Sequence, residues 1–423
     1  MAIVFASLVL PVVASLAAAA PQTELYRIKG TSRARFDGTV APAGDLDRDG
    51  VTDFLVGGVG GAVSGRTGRR LFGPVGLGPV ENLAGNVGDV DDDGVDDLLF
   101  FGTGFYSGAA LMPPPGVRGG LKPLGQLQPD PRIDEPTVGG GIPLADMNGD
   151  GVAEVLVGWP DVTVIRCGGD VVTIASGDTG GIGQLHSGGD GAILWEAEAL
   201  ARGDGLGGTV ARIGDVDADG RDDVLVITRI PTPIYCTLGG ARYLQARSAA
   251  SGTLLWSIDF PFSSAPVTAA ALDDVDGDDV PDLALGFPWS RPIEVRSGAS
   301  GGLLWTIEHD GDAQDFFGYR LYSIADVDGD SLCDLVVAAP QPAVWTPSTG
   351  PGFVRIVSGG SGAPLLTLRG QTVGAQFGFS VAVLGDVNGD GSQELAIGSP
   401  WEGGAGLVQV ISIERVGART LQR

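Results

Sequence analysis

The sequence predicts an all-β fold, a seven-bladed β-propeller, on three observations. An acidic nonapeptide recurs seven times, a short apolar run follows each copy, and 71 of the 423 residues are glycine. Glycine at that frequency supplies turns and disfavours long helices. A fixed repeat also overrides the prior of roughly two to four domains that the length alone would give.

The nonapeptide carries an oxygen-bearing side chain at positions 1, 3, 5 and 9. These are Asp45, Asp47, Asp49 and Asp53 in the first copy, and Asp89, Asp91, Asp93 and Asp97 in the second. The third has Asp146, Asn148, Asp150 and Glu154, and the fourth Asp215, Asp217, Asp219 and Asp223. The fifth has Asp274, Asp276, Asp278 and Asp282, and the sixth Asp326, Asp328, Asp330 and Asp334. Asp386, Asn388, Asp390 and Glu394 complete the seventh. The copies span 45–53, 89–97, 146–154, 215–223, 274–282, 326–334 and 386–394. They recur about every 57 residues, the length of a four-stranded blade with long loops.

Phe54-Leu-Val-Gly57, Val155-Leu-Val-Gly158 and Leu335-Val-Val-Ala338 follow their nonapeptides directly. Runs this short and this branched read as buried strands, because a helix needs two or three times the length. Ser380-Val-Ala-Val-Leu384 precedes the seventh copy, so the acidic segment is a loop between the first and second strands of a blade. An alternating third strand follows, as in Phe353-Val-Arg-Ile-Val357. A Ser-Gly-x-x-Gly turn then leads to a fourth, as in Ser297-Gly-Ala-Ser-Gly301 before Leu303-Leu-Trp-Thr-Ile307.

The loop chemistry points to calcium. Acidic groups at positions 1, 3, 5 and 9 converge around a turn at position 6, and position 7 can add its carbonyl, as in the first half of an EF-hand loop. Hard oxygen donors in a flexible loop favour Ca²⁺ over transition metals, and Mg²⁺ prefers a smaller octahedral shell that keeps water. The ligand positions hold 26 carboxylates, half of the 52 acids, and seven Ca²⁺ would take the formal charge from −26 to −12. Without metal these carboxylates repel one another, so calcium is expected to brace the blades and do no chemistry. Glycine at position 6 admits a left-handed backbone that Asp279 tolerates less well and Ser331 less still. The sixth loop is therefore expected to bind most weakly among the four-carboxylate copies.

At these residues the chain resembles the FG-GAP repeats of integrin α subunits. Phe377-Gly378 before the seventh loop and Gly398-Ser399-Pro400 after it are similar to the two signatures that name the family. Phe317-Gly318 with Ala338-Ala339-Pro340 repeats them in the sixth. Other copies are degenerate, with Gly286-Phe287-Pro288, Gly158-Trp159-Pro160 and Leu206-Gly207. The resemblance runs from about Leu25 to Ile413. It implies adhesion or recognition of an extracellular protein, although a fold does not transfer a partner.

The ends imply ring closure. The seventh repeat supplies strands near Ser380–Leu384, Glu394–Ile397 and Leu407–Ile413 but no fourth, and Glu24-Leu-Tyr-Arg-Ile28 has the fourth-strand pattern. The N-terminal strand is expected to complete the last blade and leave no open edge. The propeller is thus expected over 24–413, with 414–423 as a tail. Residues 1–19 read as a signal peptide, or an N-terminal anchor, from the uncharged apolar run ending in Ala17-Ala18-Ala19-Ala20. No second apolar run has spanning length.

The acidic balance argues against nucleic acid and anionic membranes as partners. Cys167, Cys236 and Cys333 are too few for a disulfide framework and form no zinc pattern. Cys167 and Cys236 occupy equivalent positions in neighbouring blades and could pair only if their loops bend together. Arg202-Gly203-Asp204 spells an integrin-recognition tripeptide, but Gly-Asp also precedes a strand at Gly311-Asp312, so a turn is the simpler reading. The Leu-Leu-Trp segments at Trp256 and Trp305, with Ile-Leu-Trp at Trp195, look somewhat like the tryptophan docking repeats of pyrroloquinoline quinone dehydrogenases. That family's vicinal cysteines are absent, which favours blade packing.

His186 and His309 are the only histidines and read as surface-loop residues. Trp159, Trp289, Trp345, Trp401 and Tyr235 lie in or beside the connections on the face opposite the acidic loops. There they suit protein or sugar contacts, or pack beneath loops. The function expected is an exported, monomeric, calcium-binding propeller that binds an extracellular protein or glycan, or acts as a scaffold, and is not an enzyme. The alternative is a calcium-dependent polysaccharide lyase or hydrolase.

Overall fold

The computed structural model describes residues 22–415 apart from 32–35, 59–60, 73–82, 90–92, 101–103, 107–122, 126–139, 161, 165–173, 177–179, 189–190, 201–203, 229–241, 262–265, 289–291, 310–314 and 343–349. The expected leader, Asp91, Cys167, Cys236, Tyr235, Trp289, Trp345 and most of the tail lie outside the described residues.

Seven four-stranded antiparallel sheets follow one another along the chain. Blade 1 comprises Val40–Gly44, Asp53–Val56, Gly61–Val63 and Arg70–Phe72, and blade 2 Leu83–Gly88, Asp97–Phe100, Gly104–Tyr106 and Pro123–Gly125. Blade 3 comprises Gly140–Pro143, Val155–Trp159, Ile182–His186 and Ile193–Glu198, with a small hairpin of Val162–Val164 and Ile174–Ser176 between its second and third strands. Blade 4 is Leu206–Arg212, Val224–Thr228, Arg242–Arg247 and Leu254–Phe260, and blade 5 Thr268–Ala271, Leu283–Gly286, Ile293–Arg296 and Leu303–Ile307. Blade 6 is Arg320–Ile324, Asp334–Ala339, Phe353–Val357 and Pro364–Arg369. Blade 7 takes Val381–Gly385, Gln393–Ser399 and Leu407–Ile413 from the C-terminal side and Gln22–Lys29 from the N-terminal side. No described helix is long and apolar enough to cross a membrane.

The first strands of consecutive blades contact one another all the way round, and the first strand of blade 7 meets that of blade 1. This is a propeller, with first strands around the axis and fourth strands at the rim. Gln22–Lys29 pairs antiparallel with Leu407–Ile413, from Gln22 opposite Ile413 to Lys29 opposite Leu407. The fourth strand expected from Glu24–Ile28 is thus in place.

The core lies between blades. The second strands of blades 3, 4, 5 and 6 are buried at every residue, which explains their unbroken apolar runs. At the closing junction Val40, Phe54 and Val56 of blade 1 pack with Leu384, Ala396, Val408 and Val410 of blade 7. The Ser380 hydroxyl also bonds both the N–H and the carbonyl of Val40. Each fully buried aliphatic side chain contributes roughly 1.5–3 kcal/mol, so this seam holds the ends as the other seams hold blades joined by sequence.

The glycines of the repeat have a steric role. A Cβ on Gly398 would lie 1.9 Å from the Gly38 carbonyl oxygen of blade 1, and one on Gly158 2.0 Å from that of Gly207 in blade 4. The residue next to the end of the second strand therefore has to be small, because the backbone of the next blade enters there.

Candidate functional site: the acidic loops

Each nonapeptide joins the first strand of its blade to the second. Neighbouring loops touch. Arg48 Nη2 donates to Asp93 O at 2.9 Å, Arg221 Nη1 to Met147 O at 2.5 Å, the Cys333 N–H to Asp273 Oδ2 at 2.6 Å, and the Ala325 N–H to Gln393 Oε1 at 2.8 Å. The loops form a collar on one face of the ring.

Their internal bonding repeats with the sequence. In every copy the position 1 carboxylate accepts the N–H of position 6, as in Asp45 with Gly50, Asp89 with Gly94 and Asp386 with Gly391, all at 2.7–2.8 Å. The position 5 carboxylate accepts the N–H of position 7, as in Asp49 with Val51, Asp93 with Val95 and Asp278 with Val280. Position 6 has a left-handed backbone in all seven, at φ 68° for Asp279 and 75° for Ser331 against 82–88° for the five glycines. Position 4 does too in the six copies where it is described, with φ 61° at Arg48 and 59° at Ala218 where the other four place glycine. Glycine at 149, 277, 329 and 389 signalled this second turn residue in the sequence.

Position 9 is the buried one. Asp53, Asp97, Glu154, Asp223, Asp282, Asp334 and Glu394 are fully covered. In six of the blades the carboxylate accepts the N–H of position 2, for example Leu46 to Asp53 at 2.8 Å and Val387 to Glu394 at 2.6 Å. Burial pushes the Asp53 carboxyl up to about 7 and those of Asp223 and Asp334 up to about 6. Asp282, Glu154 and Glu394 are raised by the same cause. At position 1, N–H donation from Gly151 holds Asp146 below its ordinary range, and donation from Asp279 does the same for Asp274.

The predicted ligands converge. Oxygens of Asp45, Asp47 and Asp53 lie within 4.8 Å of one another, as do those of Asp215, Asp217 and Asp223, of Asp274, Asp276 and Asp282, and of Asp326, Asp328 and Asp334. In the third loop Asp146, Asp150 and Glu154 converge. Asn148 Nδ2 donates to Asp150 there, and Asn388 Nδ2 donates to Asp390 and Glu394 in the seventh. Asp49 Oδ2 accepts from Arg66 Nε at 2.9 Å.

This donor set fits a hard divalent cation, since it is entirely oxygen and more negative than its surroundings neutralise. Two oxygens, Asp47 Oδ1 and Glu154 Oε1, are buried without a hydrogen-bond partner. A buried carboxylate oxygen left so is costly, and a cation between the loop acids would satisfy it.

Other expectations fare differently. His186 is not a surface residue: it ends the third strand of blade 3, is 2% exposed, and sets Nδ1 3.2 Å from Gly191 O. It takes the place that Arg247 and Arg296 fill in blades 4 and 5, whose guanidiniums donate to Gly252 O and Gly301 O. His309 lies after a fourth strand, 3.3 Å from Asp315 and stacked on Phe317. Asp204 is fully buried and accepts from the Tyr243 hydroxyl at 3.2 Å, so its carboxylate is not displayed. Trp159 is a buried strand residue, whereas Trp401 is 51% exposed. The three fourth-strand tryptophans pack on the next blade: Trp195 against Gly252, Trp256 against Gly301 and Trp305 against Gly362.

A propeller with an acidic collar is the class this geometry defines. The FG-GAP repeat family model matches residues 377–411. Integrin alpha-PS2 of Drosophila melanogaster is 32% identical over 152 residues, covering 32% of this chain and 11% of the fly protein. Integrin alpha-3 of Mus musculus is 38% identical over 93 residues, 21% of this chain and 8% of the mouse protein. The chain thus matches about a tenth of the length of these relatives. A crystal structure of BBS1N in complex with ARL6DN shares the fold at a TM-score of 0.57 and 12% identity, over 94% of this chain and 98% of that one. The chain carries an FG-GAP repeat at residues 377–411 and is similar to integrin α subunits over the segments matched.

Proposed function

We propose that this is an exported, calcium-binding propeller that serves as an extracellular binding, adhesion or scaffolding module, with calcium in a structural role. The observation that carries the reading is the buried position 9 carboxylate, repeated in seven loops and facing further acids in at least five of them. Asp45, Asp47, Asp49, Asp53 and their counterparts in the other six loops would hold up to seven Ca²⁺. The ions would neutralise charge that burial makes unfavourable and fix the loop between the first two strands of each blade.

Similarity to integrin α subunits supports the binding role, with an extracellular protein or glycan as partner and the module acting as a monomer. In this reading residues 1–19 are the leader, 24–413 the propeller and 414–423 a tail. Placement of both histidines against packed neighbours favours binding over catalysis. Calorimetry with CaCl₂, a melting curve with and without EDTA, and a screen against extracellular proteins and glycans test it together. Calcium uptake with a raised melting temperature is expected. Absence of uptake overturns the calcium role, and turnover of a polysaccharide in the screen overturns the non-enzymatic one.

A further inference from the structure

The position 9 carboxylate has a second oxygen, and four blades send it to the same place, Asp334 Oδ1 of blade 6 accepting the N–H of Gly359 at 3.0 Å. Asp53 Oδ1 accepts the N–H of Gly65 at 3.0 Å, Asp223 Oδ1 that of Ala249 at 3.1 Å, and Asp282 Oδ1 that of Gly298 at 2.9 Å. All four donors lie in the turn between the third and fourth strands of the same blade.

The carbonyls of Gly65, Ala249 and Gly298 are each taken by an aromatic donor from the preceding blade. Trp195 Nε1 donates to Ala249 O at 2.7 Å, Trp256 Nε1 to Gly298 O at 2.7 Å, and the Tyr26 hydroxyl to Gly65 O at 2.5 Å. The rings lie over the left-handed glycines of the same turns, Gly252, Gly301 and Gly68. One turn residue is therefore gripped on its N–H by a loop acid and on its carbonyl by the neighbouring blade. Tyr26 belongs to the N-terminal strand, so at the closing junction the neighbour is the other end of the chain.

We propose that cation binding in a loop is coupled through this turn residue to the junction with the preceding blade, and that the first loop latches the N-terminal strand. This rests on the calcium reading above. A cation holds the position 9 carboxylate in place, which orders its bond to the turn N–H and fixes the carbonyl that the aromatic donor needs. Coupling is reciprocal: removing the aromatic donor weakens calcium binding in the loop it serves.

Hydrogen exchange read by mass spectrometry on the full chain, with CaCl₂ or EDTA, tests this beside calorimetry. In the wild type, calcium slows exchange in residues 22–29. Asp53→Asn loses that slowing in 22–29 while keeping it in 254–260. Tyr26→Phe keeps the ring and removes only the donor, and Trp256→Phe removes the donor while leaving a smaller aromatic ring over the turn, so both remain informative if Asp53→Asn fails to fold. Each is expected to weaken one calcium equivalent by about fivefold, the loss of one ordinary hydrogen bond. The coupling is overturned if both phenylalanine variants bind calcium as the wild type does. It is also overturned if residues 22–29 exchange at one rate with and without bound calcium. A wild type that takes up no calcium overturns the calcium reading itself, which calorimetry distinguishes.

Discussion

The indole N–H of Trp256, on the outermost strand of blade 4, donates to the carbonyl of Gly298 in blade 5 at 2.7 Å. The ring covers Gly301 of the same turn, where a Cβ would come within 2.9 Å of the indole. Trp195 and Trp305 reach forward in the same way onto Gly252 and Gly362. The blade 6 counterpart is Leu366, and blade 7 has no such turn for an indole to cover, because its fourth strand comes from the other end of the chain.

This arrangement separates packing from hydrogen bonding. Trp256→Phe should cost about 2 kcal/mol, for the lost bond together with the smaller ring. Trp256→Ala should cost about 3 kcal/mol, since it also empties the seam between blades 4 and 5. Urea denaturation of the calcium-loaded protein measures both. Equal losses for the two variants would show that ring packing adds nothing beyond the hydrogen bond.

The loops and strands were legible because they repeat: Asp at fixed spacing, then branched residues such as Leu335-Val-Val, has one local solution. The missing fourth strand was legible for the same reason, since Glu24–Ile28 carries a pattern whose place in blade 7 was empty. What joins blades was not. Tyr26 meets Gly65 and Trp195 meets Ala249 through backbone carbonyls, which leave no residue signature. His186 reads as a loop residue because glycines surround it, yet its partner is the Gly191 carbonyl inside the fold. Trp159 stands at a degenerate copy of the repeat signature, where neither loop nor strand pattern decides its burial.

The close approach at Gly398 gives a second test. A methyl group there would meet the Gly38 carbonyl oxygen at 1.9 Å, and the obstacle is backbone that cannot turn aside. Gly398→Ala should destabilise by about 3 kcal/mol through overpacking, with the damage at the junction of blades 7 and 1. Thermal unfolding gives the magnitude and limited proteolysis near residues 22–29 the location. An unchanged melting temperature would contradict the backbone contact.

The sixth loop offers a gain. Ser331 holds φ 75°, and its N–H reaches Asp326 at 3.1 Å, where Gly50, Gly220 and Gly391 reach their position 1 acids at 2.8 Å. Left-handed backbone costs a residue with a Cβ roughly 1–2 kcal/mol relative to glycine. Ser331→Gly is expected to raise calcium affinity at one equivalent several-fold. A calcium titration with no gain would show that position 6 does not limit this loop.

The buried position 9 carboxylates set a pH dependence. Folding raises Asp53 to about 7 and Asp223 and Asp334 to about 6, above the ordinary carboxylate value, through burial. A group raised in the folded state contributes stability that is complete below its unfolded pKa and is lost as the pH rises through its folded pKa. From these groups, then, the cation-free protein loses stability as the pH climbs through about 6–7. Calcium needs the ionised form and must displace protons below that window, so its affinity climbs over the same range. The melting-temperature increase caused by calcium should therefore be largest near pH 8 and shrink toward about pH 5. Binding at about pH 6 should also release protons, seen as a calorimetric heat that changes with the ionisation enthalpy of the buffer. A calcium-induced shift of constant size across this range, with no buffer dependence, would mean that the position 9 acids are already ionised before the cation arrives.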